Sequence, residues 1–207
     1  MLEGLKVKEI KSSLNPDSNI FLRNILNDEN PDSILASLSK DLLNKYFEIL
    51  IRSENILLYF CEFNNEAAGY CILAKKPSFL ISEFNKLKYS ILIDLILNFK
   101  FKNLINILLS VCKIDLLLIS KDKKKIIDEN WNLSLLAIKK NYQSQCIGTK
   151  FVLEILKDMK KNYNIKGITL ETLSKSAASF YQKKLNFYYI GTKLRFSKNL
   201  HVFKKDI

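Results

Sequence analysis

The sequence is poor in glycine, proline and histidine. Its 207 residues include five glycines, three prolines and one histidine, while 48% are apolar and 26% are charged. That balance is ordinary for a globular protein and argues against disorder. With so few glycines, Gly148, at the start of a predicted helix, requires an explanation. The only histidine, His201, falls in the last predicted strand, and we expect it to be structural.

The chain also lacks closely spaced cysteines and an uninterrupted apolar run. Its four cysteines are too far apart for a zinc knuckle or a CxxC redox pair, and we predict no metal site; they are Cys61, Cys71, Cys112 and Cys146. The N-terminus has no apolar core of the kind that a signal peptide needs. Charges interrupt the Leu- and Ile-rich residues 91–119, so no uncharged span approaches the ~18 residues of a membrane helix. We therefore expect a cytoplasmic protein without a transmembrane segment. A surface helix that contacts a membrane or a partner is the alternative for these residues.

The charge balance is strongly basic, with 33 basic and 21 acidic residues and a net charge of +12. The lysines are scattered, with short clusters only at 123–125 and 160–161, and no arginine-rich stripe or aromatic RNA-binding motif accompanies them. This distribution indicates a compositional bias, so we predict no nucleic-acid partner. A basic surface nevertheless favours a polyphosphate ligand.

Alternation and helical periodicity divide the first half of the chain. They predict a strand at 5–10, a helix over 20–26, a second helix from Asp32 or Ser33 to Arg52, and a hairpin of strands 55–63 and 67–74 around a turn at 64–66. Gly69 in the hairpin has a packing or bulge explanation. Three of the cysteines lie in apolar runs and are expected to be small buried thiols.

A long middle block separates the hairpin from the next strand. Periodicity predicts helices over 79–99 and 101–112 and leaves 114–120 undecided between a buried strand and a helical turn. The charged residues 121–130 are predicted to be a loop or frayed turn. We interpret residues 79–130 as a helical insert between the third and fourth strands. It is either an added layer or a lid or wall for a substrate.

The most informative stretch is 131–152. An apolar run from Leu133 to Ile138 predicts a strand, residues 139–146 form a polar turn, and an amphipathic helix starts at Gly148. A helix start leaves backbone N–H groups without intrahelical acceptors and carries the positive end of the helix dipole. A strand, a loop with small residues and a helix N-terminus therefore predict an anion-binding cradle suited to a pyrophosphate.

The remaining residues complete an alternating pattern. They predict a left-handed C-cap at Gly167, a strand at 168–173, a helix at 177–184 capped by Ser174 or Ser176, and closing strands at 187–196 and 200–203 with a turn at 198–199. The order predicts one α/β (α+β) domain over 1–207, in which helices flank a mixed, mostly antiparallel sheet.

Two motifs resemble those of a known superfamily. The loop Gln143-Ser144-Gln145-Cys146-Ile147-Gly148 follows the pattern Gln/Arg-x-x-Gly-x-Gly/Ala, and AASFYQKKLNF at 177–187 looks like the helix A-x-x-F-Y-x-K-x-G-F. In this order, with these elements between them, they resemble the GNAT superfamily of acetyl-coenzyme-A-dependent N-acetyltransferases. The resemblance is best over 133–187.

The resemblance implies acetyl-CoA as cosubstrate and a primary amine as acceptor. Tyr181 stands at the position of the frequent general acid, and a phenol with a pKa near 10 stays protonated at neutral pH. The implied cofactor-binding residues lie on the fourth strand, in the loop, at the helix start and after the fifth strand; they are Leu136, Ala137, Ile138, Gln143, Ser144, Gln145, Cys146, Ile147, Gly148, Thr149 and Ser174.

The sequence departs from the family pattern at several positions. Cys146 replaces the first loop glycine, and Asn186 replaces the glycine before Phe187, where Asn also tolerates a left-handed backbone. The fourth strand offers Asn132 and Ser134 where many members carry a glutamate base. The base therefore stays unassigned, with carboxylates near in sequence at Glu171, Asp128 and Glu129.

The implied mechanism is direct attack of the deprotonated amine on the thioester, with Tyr181 protonating the departing thiolate. Cys146 has no histidine partner for a covalent route. The alternative function is a non-catalytic GNAT-like module that binds CoA or a partner protein. Acceptors left open are a small amine, a nucleotide-linked amino sugar, which we favour, and a protein N-terminus. A homodimer also stays open.

Overall fold

The computed structural model describes residues 4–11, 16–29, 33, 35–98, 121–195 and 198–207. These residues form one sheet in the order β1-β2-β3-β4-β5-β7-β6. Its strands are β1 (Leu5–Ile10), β2 (Ile56–Phe63), β3 (Glu66–Ala74), β4 (Trp131–Ile138), β5 (Gly167–Thr172), β6 (Tyr188–Arg195) and β7 (Lys198–Asp206). Every neighbouring pair is antiparallel except β4 and β5, which run parallel. The predicted mixed, mostly antiparallel sheet is confirmed.

Helices cover both faces of the sheet. They are α1 (Pro16–Glu29), α2 (Lys40–Arg52), α3 (Pro77–Asn85), α4 (Lys88–Leu97), α5 (Lys121–Glu129), α6 (Ile147–Tyr163) and α7 (Lys175–Leu185), with 3-10 turns at Leu35–Ser37 and Lys140–Tyr142. Side chains of α6 and α7 pack on one face, and side chains of α1, α2 and α4 pack on the other. The predicted apolar face of α6 is buried, with Phe151, Ile155 and Met159 fully covered.

The β2–β3 hairpin closes through two asparagines with a left-handed backbone, Asn64 (φ 52°) and Asn65 (φ 65°). A two-residue turn with positive φ at both positions matches the twist of the flanking strands, and asparagine tolerates this conformation. In β3, a Cβ on Gly69 would lie 2.5 Å from Ile138 Cδ1 and 2.6 Å from the Ala137 carbonyl oxygen. The packing explanation for Gly69 is confirmed.

Two helices predicted as continuous are interrupted. The helix predicted from residue 32 or 33 begins only at Lys40, because Leu35–Ser37 makes a 3-10 turn and the Ser39 N–H donates to Asp94 Oδ2 at 3.0 Å. The helix predicted over 79–99 is α3 and α4. Between them, the N–H groups of Lys86 and Leu87 donate to carbonyls three residues back, at 3.2 and 3.1 Å, which tightens the chain and ends α3.

The prediction of a loop or frayed turn at 121–130 was wrong, because Lys121–Glu129 forms α5. Charged residues with straight side chains lose little rotamer freedom in a helix and do not oppose it. Ile127 is buried, and Asn130 Nδ2 donates to the Ile126 carbonyl at 2.7 Å, which closes the C-terminal end. With α3 and α4, this helix lies between β3 and β4, where the insert was predicted.

Two predicted turn positions are also corrected. Asn164 (φ 47°) is the left-handed residue that ends α6, whereas Gly167 is the first residue of β5. Asparagine supplies the left-handed conformation here, so no glycine is required. The turn predicted at 198–199 lies inside β7, where Lys198 pairs with Arg195. The predictions for 101–112 and 114–120, and Cys112, lie outside the described residues.

The Gly69→Ala substitution is expected to destabilise the protein by about 1–3 kcal/mol, because the new methyl meets a backbone carbonyl that cannot move without disturbing the β3–β4 pairing. The matched control is Gly148→Ala, whose Cβ would meet its nearest atoms at 3.4 and 3.7 Å. Denaturant unfolding of both variants measures the difference. Equal stability of Gly69→Ala and the native chain would contradict the packing described here.

Candidate functional site

Strands β4 and β5 are paired only at their first residues. Trp131, Asn132 and Leu133 pair with Ile168, Thr169 and Leu170, and beyond them β4 pairs only with β3 and β5 only with β7. The two strands therefore part, and we call this opening the fork. The edge of β4 that faces β5 has no strand partner over 134–138 in the described part of the chain. Unpaired edge N–H and C=O groups can pair with an extended ligand.

A bulge lies where the strands part. Ile72 pairs with Leu135 and Leu73 with Leu133, so Ser134 is an extra residue in β4. Ser134 Oγ donates to Asn132 Oδ1 at 2.8 Å, and Asn132 Nδ2 donates to Thr169 Oγ1 at 3.3 Å. Asn132 and Ser134, which stand where many members of the family carry a glutamate, are thus hydrogen-bonded to each other and to β5.

The loop after β4 is fastened at both of its sides. Gln143 Nε2 donates to the Ile138 carbonyl at 2.9 Å and to Glu29 Oε2 at 2.7 Å. The Tyr142 hydroxyl donates to Glu66 Oε2 at 2.5 Å. Gln143 therefore ties the end of β4 to its own loop and to the end of α1. The contact with Glu29 carries no signal in the sequence.

Helix α6 begins at a strained residue. Cys146 has a left-handed backbone (φ 61°, ψ 6°), and Ser144 is also left-handed (φ 65°). This conformation costs a non-glycine residue roughly 1–2 kcal/mol. A glycine at this position would adopt the same left-handed backbone without this cost. Its exposed thiol makes no capping hydrogen bond.

The start of α6 presents unpaired donors. The Lys150 N–H makes the first helical bond, to the Cys146 carbonyl at 3.1 Å. The preceding N–H groups, those of Ile147, Gly148 and Thr149, find no acceptor in the ranges that the structure describes. Free N–H groups at the positive end of a helix dipole form an anion site. The helix start therefore has the backbone geometry that an anion cradle requires, and anion binding there stays a prediction.

Gly148 faces the gap between the end of β4 and α7. A Cβ there would lie 3.4 Å from Ile138 Cγ1 and 3.7 Å from Phe180 Cζ, which are ordinary contact distances. Its φ is not in the left-handed range, so neither strain nor crowding within the protein requires a glycine. A small residue here instead leaves the N–H groups open to a ligand.

The remaining predicted cofactor residues lie on both sides of the fork. Leu136 and Ile138 are half-buried on β4, Ala137 is buried, and Gln145 Nε2 donates to the Asn141 carbonyl at 2.8 Å. Ser174 follows β5 and caps α7, because its Oγ accepts the Ala177 N–H at 3.2 Å. The structure thus brings the β4 edge, the loop and the start of α6 together.

Tyr181 lies inside the core. It is 7% exposed, and its ring centroid is 5.2 Å from that of Phe180 and 5.6 Å from that of Phe187. Its hydroxyl has no hydrogen-bond acceptor among the described residues. Burial, and secondarily the thiol of Cys71, raise the pKa of Tyr181 above its usual value. The phenol therefore stays protonated throughout the physiological range.

The sequence contains a spacing signal that bears on Tyr181. The family pattern places the tyrosine five residues before the final phenylalanine, whereas Tyr181 precedes Phe187 by six. The exposed Gln182 stands at the five-residue spacing. This extra residue is consistent with the inward position of the Tyr181 ring.

The three nearby carboxylates lie in different places. Glu171 follows Leu170, the last β5 residue paired with β4, and forms an ion pair with Lys193 in which the side chains are 12% and 14% exposed. Asp128 and Glu129 instead line an open hollow of about 390 Å³ beside α5, before the start of β4. Glu171 is therefore the candidate at the fork.

The described ranges contain neither a metal-ligand cluster nor a helix that could span a membrane. No group of three or more His, Cys, Asp or Glu side chains there is arranged to hold a metal ion. None of the helices described is long and apolar enough to cross a membrane.

Comparison with known proteins gives a likeness in structure but not in sequence. No family model and no curated protein matches the sequence. An acetyltransferase from Thermus thermophilus superposes with a TM-score of 0.58 at 12% identity, covering 100% of this chain and 99% of that one. Ribosomal-protein-alanine N-acetyltransferase from Brucella melitensis gives 0.57 at 10% identity, covering 98% and 99%.

A third similar structure is spermidine N-acetyltransferase from Vibrio cholerae in complex with CoA and spermine. It has a TM-score of 0.57 at 10% identity and covers 98% of this chain and 95% of its own. The sheet order, the single parallel pair and the fork are thus set in an architecture shared over almost the whole chain. The chain has the fold of the GNAT acetyltransferases.

Proposed function

We propose that this protein is an acyltransferase that moves an acetyl group from acetyl-CoA to a primary amine. The observation that carries the proposal is the continuity between the free β4 edge and the free N–H groups of Ile147, Gly148 and Thr149. A pantetheine arm carries amide groups that pair with a strand edge, and a pyrophosphate suits a helix N-terminus. The net charge of +12 favours the same ligand.

Acetyl-CoA supplies a thioester, whose carbonyl carbon is the electrophile. The free N–H groups of β4 donate to the carbonyl oxygen as negative charge develops on it. Leu136, Ala137 and Ile138 form the edge that positions the arm, and Gln143 holds the end of that edge through the Ile138 carbonyl. Ser144 to Thr149 hold the phosphates, and Ser174 lies across the fork from them.

We assign the general base to Glu171, which lies where β5 leaves β4. Its ion pair with Lys193, with both side chains largely covered, fixes the carboxylate in one orientation. Neither Asn132 nor Ser134 is able to accept a proton at neutral pH, and their hydrogen bonds already engage them. The amine proton therefore passes to Glu171, directly or through one water.

We assign the general acid to Tyr181. Its hydroxyl is a donor with no acceptor in the described residues, and its raised pKa keeps it protonated at neutral pH. The hydroxyl donates a hydrogen bond to the sulfur as negative charge develops there and passes its proton to the departing thiolate. Because thiols have a pKa near 8.5, the phenolate that is left is the stronger base, and it is reprotonated from water.

The charge of the chain also bears on the acceptor. A surface of +12 repels polycations and favours an amine that carries phosphate, such as an amino sugar on a nucleotide carrier.

The Gly148→Asp substitution is expected to weaken acetyl-CoA binding by at least about 100-fold, because it places a carboxylate among the N–H groups that meet the pyrophosphate. Gly148→Asn is the control of equal size without the charge and is expected to lose far less. Calorimetric titration with acetyl-CoA measures both. Equal affinities for the two variants would contradict a phosphate at this position.

The Tyr181→Phe substitution is expected to lower kcat by about 100-fold or more while leaving stability nearly unchanged, because the hydroxyl makes no hydrogen bond with the residues that the structure describes. Since the raised pKa delays loss of the acidic proton, activity of the native enzyme should show no decline from this group below about pH 10. Release of free thiol with a panel of amines, nucleotide-linked amino sugars included, measures both.

Gln182→Ala is the control for Tyr181→Phe, because Gln182 is the exposed neighbour at the family spacing. Loss of activity in Gln182→Ala with full activity in Tyr181→Phe would overturn the assignment of the acid. Tight CoA binding without thiol release for any amine would instead favour the non-catalytic module. The buried position of Tyr181 is the observation that keeps this second function in consideration.

A further inference from the structure

Helix α1 ends against the loop 139–146 that follows β4. Its last residue, Glu29, accepts a hydrogen bond from Gln143 Nε2 at 2.7 Å. Because α1 packs on one face of the sheet and α6 on the other, this contact joins the two faces around the end of β4. The proposed acetyl transfer assigns no role to Glu29, so its contact with the loop requires an explanation.

Both amide hydrogens of Gln143 are engaged. Nε2 donates one to Glu29 and the other to the Ile138 carbonyl at 2.9 Å, so the side chain has no donor left for a phosphate. Its remaining polar atom, Oε1, is an acceptor, as is a phosphate oxygen. The Gln143 amide therefore acts by holding the backbone of the protein and does not bind the pyrophosphate itself.

The Ile138 carbonyl lies on the free edge of β4. The Lys139 N–H donates to the Ala68 carbonyl of β3 at 2.9 Å, and the Ala137 carbonyl oxygen also faces β3. Successive residues of a strand point their N–H and C=O groups to opposite edges, so those of Ile138 point toward the fork. Gln143 thus takes the last carbonyl of the free edge and fixes the point at which an extended ligand must leave β4 for the start of α6.

Glu29 stands on a part of α1 that is packed firmly enough to orient this amide. Ile25 and Leu26, one turn before it, are 2% and 0% exposed in the core. Gln143, in contrast, is an exposed loop side chain, which samples several rotamers when it has no fixed acceptor. A carboxylate on a packed helix therefore fixes the amide, and with it the end of the β4 edge.

We propose that Glu29 is a positioning residue for acetyl-CoA, which acts through Gln143 to fix the end of the free β4 edge and the loop beside it. The inference rests on the proposed function. By its charge alone, a carboxylate that contacts a phosphate-binding loop weakens the binding of an anion. Positioning strengthens that binding, so the two effects of Glu29 have opposite signs and one substitution separates them.

The test is calorimetric titration of the full chain and its variants with acetyl-CoA. Glu29→Ala is expected to weaken binding by about three- to tenfold, although it removes a negative charge, because the Gln143 amide is then free to turn. Glu29→Gln keeps an acceptor for that amide and is expected to retain the native affinity. Asp28→Ala is the charge control, because Asp28 is the exposed neighbour at the same helix end and makes no contact with the loop in the described residues. It should not weaken binding.

A double-substitution cycle tests whether Glu29 acts through Gln143. Once Gln143→Ala is in place, adding Glu29→Ala is expected to cause no further loss of affinity. A further loss would overturn the proposed route, and so would native or tighter binding by Glu29→Ala alone. Absence of acetyl-CoA binding to the native chain would instead overturn the proposed function, and the role of Glu29 with it.

Discussion

The architecture depends on how soon β4 and β5 stop pairing. Antiparallel neighbours fix β4 on one side through β3 and β5 on the other through β7, and the two strands share only three residue pairs. The bulge at Ser134 bends β4 at that point, and the Asn132–Thr169 hydrogen bonds fasten the strands just before it. A longer pairing would close the fork and bury the edge of β4 that the proposed function assigns to the cosubstrate.

The site is built from backbone, and it carries a cost in stability. The left-handed backbone of Ser144 and Cys146 is unfavourable, and so are three N–H groups that have no acceptor among the described residues when no anion is bound. The rest of α6 offsets this cost, because a full apolar face that includes Phe151 and Ile155 is buried against the sheet. Strain and free donors at one end of a well-packed helix are the arrangement expected of a binding site.

Periodicity and local motifs predicted the correct secondary structure where a single sequence pattern was strong. The alternation in β1, the apolar run of β4 and the buried face of α6 each gave the correct element, and two asparagines gave the hairpin turn. Predicted helix boundaries were wrong where a tertiary contact decides them. At the start of α2, for example, Asp94 accepts the Ser39 N–H, and the helix predicted from residue 32 or 33 is interrupted there. The charged α5 was missed because its packing rests on few apolar residues, Ile127 among them.

The backbone arrangement of the candidate site was predictable from the sequence, but the side-chain contacts that hold it in place were not. The strand–loop–helix pattern and Gly148 indicated the cradle, whereas the contact of Gln143 with Glu29 joins residues far apart in the chain and has no local signature. The Glu171–Lys193 pair likewise depends on the registers of β5, β7 and β6. For Tyr181, the sequence shows one residue more before Phe187 than the family pattern has, whereas the position of its ring in the core follows from contacts with Phe180 and Phe187.

The most direct test of the central claim is amide hydrogen exchange with and without acetyl-CoA. Acetyl-CoA is expected to slow exchange in two segments at once, the β4 edge at 134–138 and the helix start at 147–149, and to leave α4 unchanged. Protection of both would show that one ligand bridges the fork and the helix N-terminus. Protection of neither, at acetyl-CoA concentrations up to the millimolar range, would contradict the account and leave the fold without this cosubstrate.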